Sequence, residues 1–259
     1  MQVSMIVGVV TLVGLFLGML LFLEVGRRIR LRFLAKDAEK PVDGLGVVEG
    51  ALFGLMGLVI AFTFSGAASR FDERRHLIVE EANDIGTAYL RIDLLPEAAQ
   101  PQIREMLRRY VDTRLETYRV LPDLDAAMAK IAKANEIQQE IWNHAVLATK
   151  DATNPQAAIV LLPALNAMFD IANTRYWATQ LHPPWMIFAL LGTLGLVCSL
   201  LAGFGMTGAT ARSWIHIVAF AIILTLTVYV IVDMEYPRMG FIRVDSFDRA
   251  LVDVRASMR

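Results

Sequence analysis

Little in this 259-residue chain is spaced for bond-making chemistry. His76, His144, His182 and His216 are scattered, with no i, i+4 pair and no second ligand type at metal spacing, so no metal site is expected. The single cysteine, Cys198, lies inside an apolar run and reads as a small packing residue. No nucleophile elbow, glycine-rich phosphate loop or paired-histidine motif marks a catalytic centre, and neither enzymatic activity nor a cofactor is expected. What the chain does offer is charge and apolar bulk on helical register, which suits the passage of ions.

Two sets of residues carry that reading. Leu55, Leu58 and Phe62 share one face at i, i+3, i+7 spacing. Lipid or bundle packing explains such a stripe, whereas a ring of them around an axis would be an apolar constriction that gates by dewetting. Arg70, Asp72, Glu73, Glu80 and Asp84 follow on the same stretch, among the further charges Arg74, Arg75, Glu81 and Arg91. As a solvated rod, these would form ion pairs such as Asp72 with Arg75, each worth roughly 0.2–0.5 kcal/mol. Around an axis, the same charges would line a vestibule that selects ions. Glu49, a turn inside the start of the stretch, either reaches out to water or serves a pore or proton relay.

Both sets lie on one element, Gly46 to Leu95. Gly46 to Ser69 is apolar apart from Glu49 and a few hydroxyls, and at about 1.5 Å per residue it can cross a hydrocarbon layer of roughly 30 Å. Charge begins at Arg70, yet no proline occurs before Pro96, so nothing stops the helix where the membrane ends. One rod is predicted to leave the bilayer and enter water. Gly50, Gly54, Gly57 and Ala61 put small residues at helical spacing, a pattern that lets backbones approach closely in lipid. The rod therefore belongs inside a bundle or an assembly.

The rest of the chain must hold that rod. With 56% hydrophobic and 20% charged residues, the chain is too apolar for a soluble domain and too charged to lie wholly in lipid. Its net charge of −1, with no basic run interleaved with aromatics, argues against a nucleic-acid partner. Val3 to Leu23 reads as a retained membrane helix, since no Lys or Arg precedes it and the run exceeds a signal-peptide core. Gly26 to Leu45 reads as a basic connector ending in the turn Pro41, Asp43, Gly44.

Beyond Arg70 the apolar residues recur every three or four positions. Ile103, Met106, Leu107, Tyr110, Val111 and Leu115 form one stripe after Pro101, and Pro122 ends that helix. Asp123 is placed to cap the next, whose stripe is Leu124, Ala127, Met128, Ile131, Ala134, Ile137, Ile141 and Val146. The loop Asp151 to Pro155 follows, then a helix from about Gln156 to Gln180 that Pro163 kinks or divides. Trp185 to Phe204 and Trp214 to Val232 are further crossings, joined by the turn Gly205 to Ser213, and the charged tail carries a weakly amphipathic stretch, Phe241 to Val254. No period-two alternation predicts a sheet.

The predicted class is an all-α polytopic membrane protein with four transmembrane helices and a helical insert between the second and third. Its divisions are a first transmembrane hairpin (1–69), the extramembrane insert (70–184), a second hairpin (185–232) and a charged C-terminal tail (233–259). The basic connector favours an insert outside the cell, but arginines near membrane ends on the insert side nearly balance it.

The run GLMGLVIAFTFSGAASRFDERRHLIVEEANDIGTAYLRIDLLP resembles the signature of bacterial bestrophin-like domain proteins, a family of unassigned function, and the likeness covers nearly the whole chain. It extends more weakly to the bestrophins, which are pentameric chloride or cation channels with a cytosolic helical region between the second and third membrane helices. Matching their arginine-aromatic exit motif to Arg70 and Phe71 puts Leu58 and Phe62 at the family's apolar neck, while the next position outward is Gly54 and the motif's second aromatic is Asp72. The acidic calcium clasp of animal bestrophins has no counterpart after Asp233. The resemblance implies a homo-oligomer in the bacterial plasma membrane, in contact with lipid and permeant ions, with a cytosolic insert. The alternative is a non-conducting scaffold or signalling protein whose insert binds a partner.

Overall fold

A helix satisfies its own backbone, and every regular element among the described residues is helical. The computed structural model describes residues 2–36, 45–150, 156–206 and 214–258, with side chains over 10–33, 46–150, 156–206 and 214–258. The predicted turn at Pro41, Asp43 and Gly44, the loop Asp151 to Pro155 and most of the turn Gly205 to Ser213 lie outside the described residues. The helices are α1 (Gln2–Lys36), α2 (Leu45–Arg91), α3 (Gln100–Arg119), α4 (Leu124–Lys150), α5 (Gln156–Gln180), α6 (Trp185–Gly205), α7 (Trp214–Glu235) and α8 (Arg249–Ser257). Segments within Val10–Phe33, Gly46–Leu94, Gln156–Gly205 and Trp214–Glu235 are long and apolar enough to cross a membrane.

The chain divides into two units, residues 70–181 with 237–259, and residues 2–69 with 182–236. In the second, α1 packs along α6 and also meets α7. Met19, Met56, Leu194, Cys198, Ala221 and Leu224 form its centre, which gives Cys198 the packing role its apolar setting suggested. The connector expected from Gly26 is instead helical as far as Lys36. The reason is local: no proline occurs before Pro41, and Glu24 pairs with Arg28 one turn on at 2.8 Å. That extension carries α1 across α6 at two glycines. A Cβ on Gly26 would stand 1.9 Å from the Leu200 carbonyl oxygen, and one on Gly203 would stand 2.0 Å from that of Leu23.

In the other unit, α3 and α4 pack as an antiparallel pair, α5 lies on α4, and α8 closes on α3. The α3 stripe is buried as its spacing predicts, with Ile103, Met106, Leu107, Tyr110, Val111 and Leu115 all inside. Asp123 caps α4 by accepting from the Ala126 amide at 3.0 Å. Along α4, Ala134, Ile137 and Ile141 are buried, whereas Leu124 and Met128 are exposed because the first turn runs beyond the core. Pro163 sits inside a single continuous α5. The weakly amphipathic tail becomes a short 3-10 turn at Asp245–Asp248 followed by α8, whose Leu251 is fully buried.

Candidate functional site: the open face of the second helix

α2 contains no proline, and only after the 3-10 turn Ile92–Leu94 does Pro96 redirect the chain. Its 47 residues rise about 70 Å as one α-helix. In the apolar part, one stripe packs on the chain's own helices: Met56 is buried, and Phe53 meets Phe220 edge-on with centroids 6.1 Å apart. The opposite stripe is open. Gly50, Gly54, Leu55, Gly57, Leu58, Ala61 and Phe62 are exposed there, Phe62 to 69%. A Cβ at Gly50, Gly54 or Gly57 would meet nothing within 4 Å among the described residues.

Glu49 is apart from that stripe. The 100° step per residue puts it on the register of Phe53, Met56 and Ile60, where it is half-buried. Its carboxylate oxygens lie 3.5 and 3.6 Å from where a Cβ on Gly205 would stand, at the C-terminal end of α6. The helical turn therefore sets it on the side of α2 away from Leu58 and Phe62.

Between Arg70 and Arg91 the sequence holds four arginines and five acids, close to balance, and the fold sorts them. Asp72, Glu73, His76, Glu80 and Asn83 are exposed on the open register, with Asp84 half-buried beside them. Partial burial, and then the neighbouring charge of Glu80, raise the Asp84 carboxyl above its ordinary range. The basic side chains go elsewhere: Arg74 is buried and donates to the carbonyls of Ala178 at 3.1 Å and Leu181 at 3.0 Å, and Arg91 donates to Val160 at 2.8 Å. Arg70 is half-buried, and Arg75 reaches round to Asp72 at 2.7 Å. The open face is left acidic.

Behind it lies a charge network that periodicity did not reveal. Glu81, fully buried, accepts from Arg114 Nε at 2.6 Å and from Arg175 Nη1 at 2.5 Å. Burial alone would push its carboxyl up; the two guanidiniums and their hydrogen bonds more than reverse this and hold it at about 2. Arg175 also reaches Asp248 at 3.1 Å, and Arg238 grips Asp248 through two bonds of 2.8 Å. All three guanidiniums surround the Tyr118 ring, with Arg175 at 3.9 Å, Arg238 at 4.3 Å and Arg114 at 5.3 Å from its centroid. Arg255 adds a bidentate pair with Asp112 at 2.8 and 2.9 Å. The tail, read from sequence only as charged, is thus bolted to α2, α3 and α5. The signal was its alternation of Arg and Asp, but the partners lie up to 143 residues away.

Comparison with known proteins follows the same lines. Residues 13–246 match the model of the Bestrophin-like domain. No curated protein matches the chain by sequence. Two crystal structures of single-substitution variants of a bacterial bestrophin homolog from Klebsiella pneumoniae share the fold. One aligns with a TM-score of 0.69 at 14% identity over 95% of this chain and 99% of that one. The other does so with 0.69 at 13% identity over 96% and 98%. With a domain model spanning most of its length, and a helical fold shared almost end to end, the chain belongs to the bestrophin-like domain family.

Proposed function

We propose that this chain is one subunit of a homo-oligomeric ion channel in the bacterial plasma membrane, pentameric like the bestrophins its sequence resembles, with α2 lining the path and the helical insert in the cytoplasm. The observation that supports this most is the open face of α2, apolar where the helix is apolar overall and acidic beyond Arg70. Copies meeting around an axis would turn Leu55, Leu58 and Phe62 into stacked apolar rings. Water leaves so narrow an apolar passage readily, and an ion crosses only while it is wet, so Leu58 and Phe62 form the gate. Beyond it, Glu73 and Glu80 from each subunit raise the local cation concentration, since charges within about a Debye length of 10 Å are incompletely screened.

The test is conduction by purified protein in planar bilayers. Phe62→Ala and Leu58→Ala are expected to raise unitary conductance or open probability by widening and wetting the constriction. A wild type without current, with both variants equally silent, would end the channel reading and leave the non-conducting scaffold.

A further inference from the structure

The tail touches α2 at one place where charge on the open face can be adjusted. Arg75 stands one helical turn after Asp72 and holds its carboxylate with Nη1 at 2.7 Å. The same guanidinium stands over two aromatic rings, with its Cζ 4.3 Å from the Phe247 centroid and 5.7 Å from that of Phe71. Its Nε is shielded from solvent and has no hydrogen-bond partner among the described residues. With one N–H on a carboxylate and Nε on no acceptor, the guanidinium is positioned by the rings as well as by Asp72, since a cation over an aromatic face is held by the ring's quadrupole.

Phe247 is itself held in place. It lies in the turn Asp245–Asp248, where Asp248 is gripped by Arg175 and Arg238 and Asp245 by Arg238 and Arg243. The helix that follows buries Leu251 and ties Arg255 to Asp112. By itself an exposed i, i+3 pair is weak, worth roughly 0.2–0.5 kcal/mol, and a solvated arginine would leave Asp72 much of the time. With the ring beneath it, the guanidinium stays.

We infer that Phe247 is a positioning residue through which the C-terminal segment sets the charge of the open face of α2, by keeping Arg75 on Asp72. This rests on the channel reading for its role in selecting ions, but the charge itself can be read without any current. The control is in the fold: a shift of the tail would unmask one carboxylate per subunit on the ion path.

The experiment places a reporter thiol at His76, exposed one turn beyond Asp72, as His76→Cys in a Cys198→Ala background, and compares modification rates by a cationic and an anionic methanethiosulfonate. Arg75→Gln is expected to raise the cation-to-anion rate ratio by about threefold, as one unit charge about 7 Å away does in partly screened water. Phe247→Leu should move it the same way by a smaller factor, Phe247→Tyr should restore the parent value, and Phe247→Leu should add nothing once Arg75 is Gln. A ratio unmoved by Phe247→Leu, or moved equally with and without Arg75, overturns the inference. Bilayer currents of the parent protein decide the channel reading separately, so the two failures are told apart.

Discussion

Glu81 shows how far one residue's role depends on partners that spacing cannot identify. In the run Glu80, Glu81 and Asp84 the three acids look alike, yet Glu80 faces open space and Glu81 is fully buried between two arginines from α3 and α5. Its carboxyl is held at about 2 in the fold against an ordinary 4.5, so the stabilisation is complete above pH 4.5 and is lost as the pH falls from there towards 2. The shift corresponds to something on the order of 3 kcal/mol. Glu81→Gln should cost about 3–5 kcal/mol at neutral pH, because it leaves Arg114 facing a neutral amide in a dry setting, and it should flatten the acid limb of stability. Denaturant titrations between pH 2 and 7, followed by circular dichroism, measure both; an unchanged acid limb in the variant would assign it to other carboxylates. The sequence could expose none of this, since Glu81 and Arg175 stand 94 positions apart.

At the scale of elements, the legible part was whatever depends on neighbours in sequence. The continuity of α2 through Arg70, the α3 stripe and the Asp123 cap all follow from local rules, and the structure has them. In α1 the last apolar residue is not the last helical one, because no proline stops that helix any more than one stops α2. Pairing was out of reach, because glycines that touch and glycines that do not look the same in a run of letters. Gly26 and Gly203 have no room for a Cβ, since backbone oxygens lie 1.9 and 2.0 Å from where it would stand, so Gly26→Ala or Gly203→Ala must push α1 and α6 apart. The expected loss is about 1–3 kcal/mol or more, read as a lowered melting temperature in detergent. Gly54→Leu has open space around it in the subunit and should leave that melting intact. If small residues on α2 meet other copies, the same substitution will instead weaken the oligomer in size-exclusion chromatography with light scattering.

For the whole molecule, the decisive property is the arrangement of charge, which composition conceals. A net charge of −1 and a nearly balanced exit segment suggest no preference between ions. The fold changes this by spending the arginines on carbonyls and buried carboxylates, Arg74 on Ala178 and Leu181, Arg91 on Val160, Arg114 and Arg175 on Glu81, while Glu73 and Glu80 remain outward. A channel with this lining should favour cations, and the preference should fade as salt rises, because the Debye length falls from about 10 Å at 0.1 M to about 3 Å at 1 M. Glu73→Gln with Glu80→Gln removes two charges per subunit, and reversal potentials under a salt gradient should move towards zero at low ionic strength and change little at high. Asp84 supplies the internal check. Removing the Glu80 charge relieves the repulsion that helps to raise the Asp84 carboxyl, so Asp84 keeps its charge to lower pH, and in mildly acidic solution the double variant should retain more cation preference than the Glu73→Gln, Glu80→Gln, Asp84→Asn triple variant. A double variant with wild-type reversal potentials at every salt concentration would move the selecting charges away from this face of α2.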